Sequence, residues 1–395
     1  MTLADCTVMV VEDHEFQRRT MLQILANLGA GHLLEAEDGE QALALLAGHP
    51  KPDVVVVDLD MPGMDGVEFL RHMAERSLDT AIVIASGLDD GVLRAAESTA
   101  RAYGLEVLGA VPKPLTARRL LEVVGLHRPR VPKPGADAGG AATNAWLTAL
   151  RAEEITVALL PRVDLLTGRP AGLQARAWRG DNGHGPVDAA TDLSASASPE
   201  VAAGIAELVL DVACEALREL DGAALGLDAT IVIPPAACSD LTLSDRLASR
   251  AQAAGVHPRR LCVALPREPA LPVTAAQLDV LTRLRVRGFG LGVDGFATGE
   301  ATLGGPDGLP LTEVMLARDA VSGAADPGAT QRVEALDATI RALREQGVRV
   351  VADGCDAAGE RDLVAQLGAD RAQGRVIGAP LAIEQLAAWA GAAPR

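Results

Sequence analysis

Five side chains in the first third of the chain are of the types that handle a phosphoryl group. Glu12 and Asp13 are adjacent acids, Asp58 is a third, Ser86 offers a hydroxyl and Lys113 an ammonium. Each follows a short apolar run: TVMVV before the acid pair, VVVV before Asp58, AIVIA before Ser86 and LEVLGAV ahead of Lys113-Pro114. A carboxylate can attack a phosphoryl donor, but clustered carboxylates repel one another and the incoming phosphate. A Mg²⁺ held by hard oxygen ligands relieves both repulsions. A hydroxyl and an ammonium can then bind phosphoryl oxygens and stabilise the charge of the transition state. Taken singly, an acid at a strand end or a lone lysine is usually just solvated. All of them together, in chain order and at strand ends, call for a shared task.

These residues meet only if the runs are parallel strands of one sheet, where function gathers at the carboxyl ends. Thr7–Val11, Val54–Val57, Ala81–Ala85 and Leu105–Val111 read as strands. Continuous β-branched runs of this kind are buried on both faces, as in a parallel sheet. Helical patterns fall near Glu15–Leu28, Glu40–Leu46, Val67–Arg76, Gly91–Tyr103 and Ala117–Val124. These four strands and five helical patterns fit five βα units and predict an α/β fold, a flavodoxin-like doubly wound sheet over residues 1–125. Residues 126–143 are rich in Pro, Gly and Ala and read as a linker, stiff at the Pro-containing start and looser at the Gly-Gly end. From 144 to 395 the alternation resumes on a larger scale. Strand candidates are Thr156–Pro161, Leu173–Trp178, Thr230–Ile233, Leu261–Leu265, Gly290–Val293, Glu313–Leu316, Val348–Ala352 and Arg375–Ile377. Eight repeats in about 250 residues is the rhythm of a TIM-type (βα)8 barrel; an open sheet of similar length fits the pattern as well.

The bulk numbers bound the partners. A chain of 395 residues holds two or three domains. Its net charge of −17 and pI near 4.9 argue against nucleic acid, and so against a DNA-binding output. They also disfavour anionic lipid surfaces. The five cysteines are scattered, odd in number and without metal-ligand spacing, as expected of free thiols in a reducing compartment. The N-terminus lacks the basic and long apolar regions of a signal peptide. No apolar run approaches the roughly 20 residues of a membrane span. The expectation is a cytoplasmic protein.

Residues 5–125 resemble the response-regulator receiver family, through VMVVEDH, VVVVDLDMPGMDG, VIASG and GAVPKPL. The resemblance implies that Asp58 accepts the phosphoryl group from a histidine kinase or phosphotransfer protein. It implies that Glu12, Asp13, Asp58 and the backbone carbonyl of Asp60 hold Mg²⁺, that Ser86 is the switch hydroxyl, and that Lys113 contacts the phosphate. It further implies a cis bond before Pro114. One position departs: the aromatic expected three residues before the lysine is Ala110, so the usual aromatic swing is unavailable. Asp60 also adds negative charge beside the site, where it is expected to alter phosphoryl lifetime.

Residues 144–391 resemble the EAL-class cyclic-di-GMP phosphodiesterases, barrels that use a metal pair. LLPRVDLLTGRPAGLQA, VDGFATG, VVADGCD and AQGRVIGAP carry this resemblance, in the right order and spacing. Residue by residue, the family's signature Glu is Gln174, its Asn-x-Ser strand end is Val232-Ile233-Pro234, and the next strand-end Glu is Ala264. The second acid of its DDFG loop is Gly295, its catalytic Lys is Met315 and the following Asp is Ala317. Asp294, Asp353 and Gln373 remain, Asp353 in place of a Glu. The expectation is a degenerate barrel with no metal cofactor, serving as a signalling or protein-interaction output to an unknown downstream protein. A receiver-gated phosphodiesterase and a non-catalytic cyclic-di-GMP sensor are the alternatives. For the sensor, Arg162, Arg176 and Arg179 are the candidate phosphate contacts. Partial retention of the VDGFATGEATL loop points to a homodimer.

Overall fold

The computed structural model describes residues 6–48, 52–76, 80–124, 146, 155–180, 187–193, 198–221, 226–267, 274–298 and 309–392. The expected linker and the later half of the VDGFATGEATL loop lie outside these residues. Two compact units emerge: residues 1–136 with 273–286 and 304–310, and the remainder.

The first unit holds β1 (Thr7–Val11), α1 (Glu15–Asn27), β2 (His32–Ala36), α2 (Gly39–Gly48), β3 (Val54–Asp58), α3 (Gly66–Glu75), β4 (Ala81–Ser86), α4 (Asp90–Ala102), β5 (Glu106–Pro112) and α5 (Ala117–Val124). The strands pair in parallel in the order β2-β1-β3-β4-β5. Successive side chains leave a strand on opposite faces. Met9, Val11, Val55, Val57, Ile82 and Ile84 accordingly pack on one side with Phe69 and Met73 of α3 and Val92 and Ala96 of α4. Val8, Val10, Val54, Val56 and Val83 pack on the other with Met21 and Leu25 of α1 and Leu120 of α5. The sequence pattern does not single out β2, because HLLEA lies at the sheet edge and is largely accessible. Asp65 and Asp89 cap α3 and α4, accepting the backbone N–H of Glu68 at 2.9 Å and of Val92 at 3.0 Å.

The Ala275–Val286 helix belongs to this first unit. It lies against α3 and α4 and buries charged groups as well as leucines: Asp279 is fully buried and Arg283 is 1% exposed. Buried charges persist only when paired. Asp279 accepts from the Tyr103 hydroxyl at 2.8 Å and pairs with Arg71 at 3.4 Å. The Thr99 and Thr282 hydroxyls meet at 3.2 Å.

In the second unit β6 (Ile155–Asp164), β7 (Pro170–Arg179), β9 (Asp228–Val232), β10 (Leu261–Pro266), β11 (Gly290–Phe296), β12 (Glu313–Leu316), β13 (Arg349–Ala352) and β14 (Arg371–Ala372) close into a ring, with the short β8 (Val187–Asp188) pairing outside it on β7. The barrel is thus closed rather than open. It departs from eight uniform repeats in that β6 runs antiparallel to both its neighbours, β7 and β14. The Arg375–Ile377 run is a turn, and the last strand lies a few residues earlier at Arg371–Ala372. All five cysteines are free and buried. Among the described residues no helix is long and apolar enough to cross a membrane.

Burial pushes the Asp279 carboxyl up from 3.8 to about 6, against the pull of Tyr103 and Arg71. Folding therefore takes up a proton between these values, so this group's contribution to stability is complete in acid and is lost as pH rises toward 6. Asp279→Asn should flatten the dependence of urea-unfolding free energy on pH between 3.8 and about 6. An unchanged slope would contradict the assignment.

Candidate functional sites

At the carboxyl edge of the first sheet the sequence-predicted residues come together. Carboxylate oxygens of Glu12, Asp13 and Asp58 lie within 4.8 Å of one another, a spacing that could hold a metal ion. Lys113 Nζ sits between two of them, 2.6 Å from Glu12 Oε2 and 2.7 Å from Asp58 Oδ2. The other Asp58 oxygen accepts the Leu59 N–H at 2.7 Å and, more weakly, that of Asp60 at 3.4 Å. Glu12 and Asp58 are buried at β1 and β3, whereas Asp13 is exposed on the loop above. Arg18 of α1 fastens that loop by donating to the carbonyls of Glu12 and Asp13 at 2.8 and 3.3 Å. Burial pushes the Glu12 carboxyl up, and Asp58 adds to the push while Lys113 opposes it. Desolvation at the rim raises Asp60 too, with Asp58 and Asp13 adding their charge.

Ser86, fully buried at the end of β4, lies one register position beyond Ala85, the partner of Asp58. Its hydroxyl accepts the Leu88 N–H at 3.3 Å, and its carbonyl accepts that of Lys113 at 2.9 Å. The Lys113-Pro114 bond is cis, as the resemblance implies. Gly66 lets α3 start hard against the acceptor loop, since a Cβ there would lie 2.1 Å from the Asp58 carbonyl.

The barrel presents a different surface. Val232, Ala264 and Met315 form an apolar cluster with Ala190 and Val351, each at most 1% exposed. Beside it, Gln373 joins two other predicted residues: its Nε2 donates to Gln174 Oε1 at 2.7 Å and to Asp353 Oδ1 at 3.1 Å. Asp294 is turned elsewhere, into an ion pair with Arg176 of β7, whose second guanidinium nitrogen takes Asp188. Burial works to lower the Arg176 pKa, but Asp294 and Asp188 outweigh it and raise it. Asp188 escaped the sequence reading, because a lone acid in a short segment has no pattern of its own.

Arg162 is fully buried. It donates to Gln373 Oε1 at 2.8 Å, Thr230 at 2.6 Å and Glu313 at 2.9 Å. Burial opposes ionisation of Glu313, yet Arg162, Thr230 and Arg349 outweigh it and hold its carboxyl below the usual range. Arg179 lies over the Trp146 ring at 5.3 Å. The three arginines proposed for phosphate contact are thus all engaged within the protein.

Comparison with known proteins gives these two regions a family. A family model described as "EAL domain" matches residues 143–380, and one described as "Response regulator receiver domain" matches residues 8–125. The chain belongs to the EAL domain family and carries a receiver domain ahead of it. It is 24% identical to the cyclic di-GMP phosphodiesterase RocR of Pseudomonas aeruginosa over 95% of this chain and 96% of that one. It is 30% identical to the chemotaxis protein CheY of Bacillus subtilis over 30% of this chain and 92% of CheY. Among solved structures, the PaMucR phosphodiesterase in complex with c-di-GMP aligns with a TM-score of 0.52 and 23% identity, over 61% of this chain and 99% of that one. This last likeness bears on the barrel fold. The architecture is that of a response regulator whose output domain is of the cyclic-di-GMP class.

Breaking a buried ion pair from one side leaves an uncompensated charge, at a cost of about 3–5 kcal/mol. Arg176→Leu strands both Asp294 and Asp188 and should lower the unfolding free energy of the second unit by about that much. The three tryptophans all lie in this unit and report its denaturation by fluorescence. A loss below about 1 kcal/mol, the usual worth of an exposed pair, would contradict a buried charge pair.

Proposed function

We propose that this protein is a phosphorylation-controlled regulator in which Asp58 is the acceptor and the EAL barrel acts by contact rather than by hydrolysis. In the receiver, an Asp58 oxygen attacks the phosphorus of a phosphohistidine or acyl phosphate, and the bond from phosphorus to the donor breaks. Lys113 and the backbone N–H groups of Leu59 and Asp60 lie where they can hold oxygens of the resulting acyl phosphate. The Ser86 hydroxyl is placed one strand over for the same purpose. Glu12, Asp13, Asp58 and the Asp60 carbonyl would hold a Mg²⁺, which would supply the charge neutralisation that anionic partners need.

The observation that carries the non-hydrolytic reading is the apolar cluster of Val232, Ala264 and Met315 at positions where the resembled enzymes keep polar groups. The Arg176 ion pair supports it, since a fixed guanidinium occupies Asp294. Gln174 and Asp353 both bond to Gln373. This donor set does not fit a pair of divalent cations, which needs several anionic oxygens free to coordinate. Removing several members of a cooperative site abolishes a reaction rather than trimming it. Output then passes to a downstream protein in the cytoplasm, with the barrel's dimer as the interacting form.

One observation favours a second reading, a receiver-gated phosphodiesterase: the similarity to RocR runs nearly the whole length of both chains. Incubation with cyclic-di-GMP and Mn²⁺ or Mg²⁺ separates the two. The proposal expects no linear dinucleotide above a blank, with or without phosphorylation, and clear product would establish the second reading. Calorimetry with cyclic-di-GMP tests the remaining alternative, a sensor that binds without cutting. Acetyl phosphate with Mg²⁺ should label the protein, and Asp58→Asn should abolish the label. Asp60→Asn should shift the half-life of the acyl phosphate; an unchanged half-life removes Asp60 from that role.

A further inference from the structure

The loop after β3 begins at Asp58 and ends at Asp65, and the loop after β4 begins at Ser86 and ends at Asp89. Asp65 and Asp89 are the residues that cap α3 and α4. Both carboxylates are also gripped by one further helix of the first unit. Arg283 Nε donates to Asp65 at 2.7 Å, and Arg285 Nη2 donates to Asp89 at 2.6 Å. Arg283 Nη2 reaches Glu68 at 3.1 Å, and Glu68 is tied in turn to Arg71 at 2.9 Å. Arg283 is 1% exposed and Asp65 3% exposed, so their pair is shielded from water and from salt.

We propose that Arg283 and Arg285 are positioning residues for the phosphoryl site, coupling the Ala275–Val286 helix to both loops that carry its chemistry. The coupling stands where the aromatic swing is impossible, because position 110 is an alanine. The Leu59 N–H donates to the Asp58 carboxylate at 2.7 Å. The Gly66 N–H donates to the Leu59 carbonyl at 3.1 Å, immediately after the Asp65 cap. Addition of a phosphoryl group changes what the Leu59 and Asp60 N–H groups and the Ser86 hydroxyl can bond to. Any resulting shift of either loop moves a cap carboxylate against an arginine of the helix. Linkage makes this reciprocal: a helix that favours one loop arrangement alters the stability of the phosphorylated form by the same factor. The helix lies within the region matched by the EAL family model and is continuous in the chain with the second unit from Arg287 onward.

The inference rests on Asp58 being the acceptor, and its test separates the two claims. Full-length protein is exposed to beryllofluoride with Mg²⁺, and amide hydrogen exchange is followed in the peptide spanning 275–286. Acyl-phosphate half-life is measured in parallel after acetyl phosphate labelling. Wild type should change exchange in that peptide by at least about fivefold, the lower end of ordinary coupling. R285Q should reduce the change and shift the half-life, R283Q should do so more strongly, and R283K and R285K should restore part of it. R250Q, at an exposed pair in the second unit, should leave both readouts at the wild-type value. If wild type takes no label, the acceptor assignment fails. If it labels but exchange in 275–286 is unaffected by beryllofluoride, or folded R285Q and R283Q match wild type in both readouts, the coupling is overturned. Wild-type exchange needs no variant, so misfolding of R283Q does not shield the proposal.

Discussion

A carboxylate withdrawn from water must meet a cation, and both units of this chain are organised around that constraint. The first gathers acids at the carboxyl edge of its parallel sheet, the second holds Asp294 near the end of β11 and Glu313 at the start of β12, and each then needs positive charge among them. The first unit supplies one ammonium, Lys113, against a cluster of three carboxylates. That leaves negative charge over, and an exchangeable divalent ion is what the leftover charge suits. The second unit supplies guanidinium groups instead. Arg176 serves Asp294 and Asp188, and Arg162 with Arg349 serves Glu313. A guanidinium cannot be deprotonated in a protein and is tethered to its strand. Charge satisfied that way is permanent, whereas charge satisfied by a bound ion or phosphoryl group can be switched.

The receiver site was largely legible in the sequence, because its residues follow strands whose continuous apolar runs are unmistakable. Glu12, Asp58, Ser86 and Lys113 lie at the edge where the pattern places them. The edge strand His32–Ala36 was not legible, since partial exposure removes the buried run that marks its neighbours. In the barrel the order of segments was legible, but the antiparallel first strand and the true last strand were not. Arg371–Ala372 is only a two-residue strand, and the apolar Val376-Ile377 that follows it forms a turn.

Charge partners were the least legible feature. Arg162, Arg176 and Arg179 look alike in the sequence as basic residues near a barrel mouth. Only the fold assigns them a buried network, an ion pair and an aromatic ring. The same holds for the Ala275–Val286 helix. Its Asp279, Arg283 and Arg285 find partners some two hundred residues away, at a separation no local periodicity records. Helical spacing told that a helix would form there, and nothing in that spacing told which neighbours it would meet.

Positive charge is thus exchangeable in the first unit and built in to the second. Counting divalent ions by equilibrium dialysis against Mn²⁺ tests it most directly. A single ion per chain is expected, lost when Asp13 and Asp58 are both replaced by Asn. Two or more additional ions per chain that survive that replacement would place a metal pair in the barrel and contradict it.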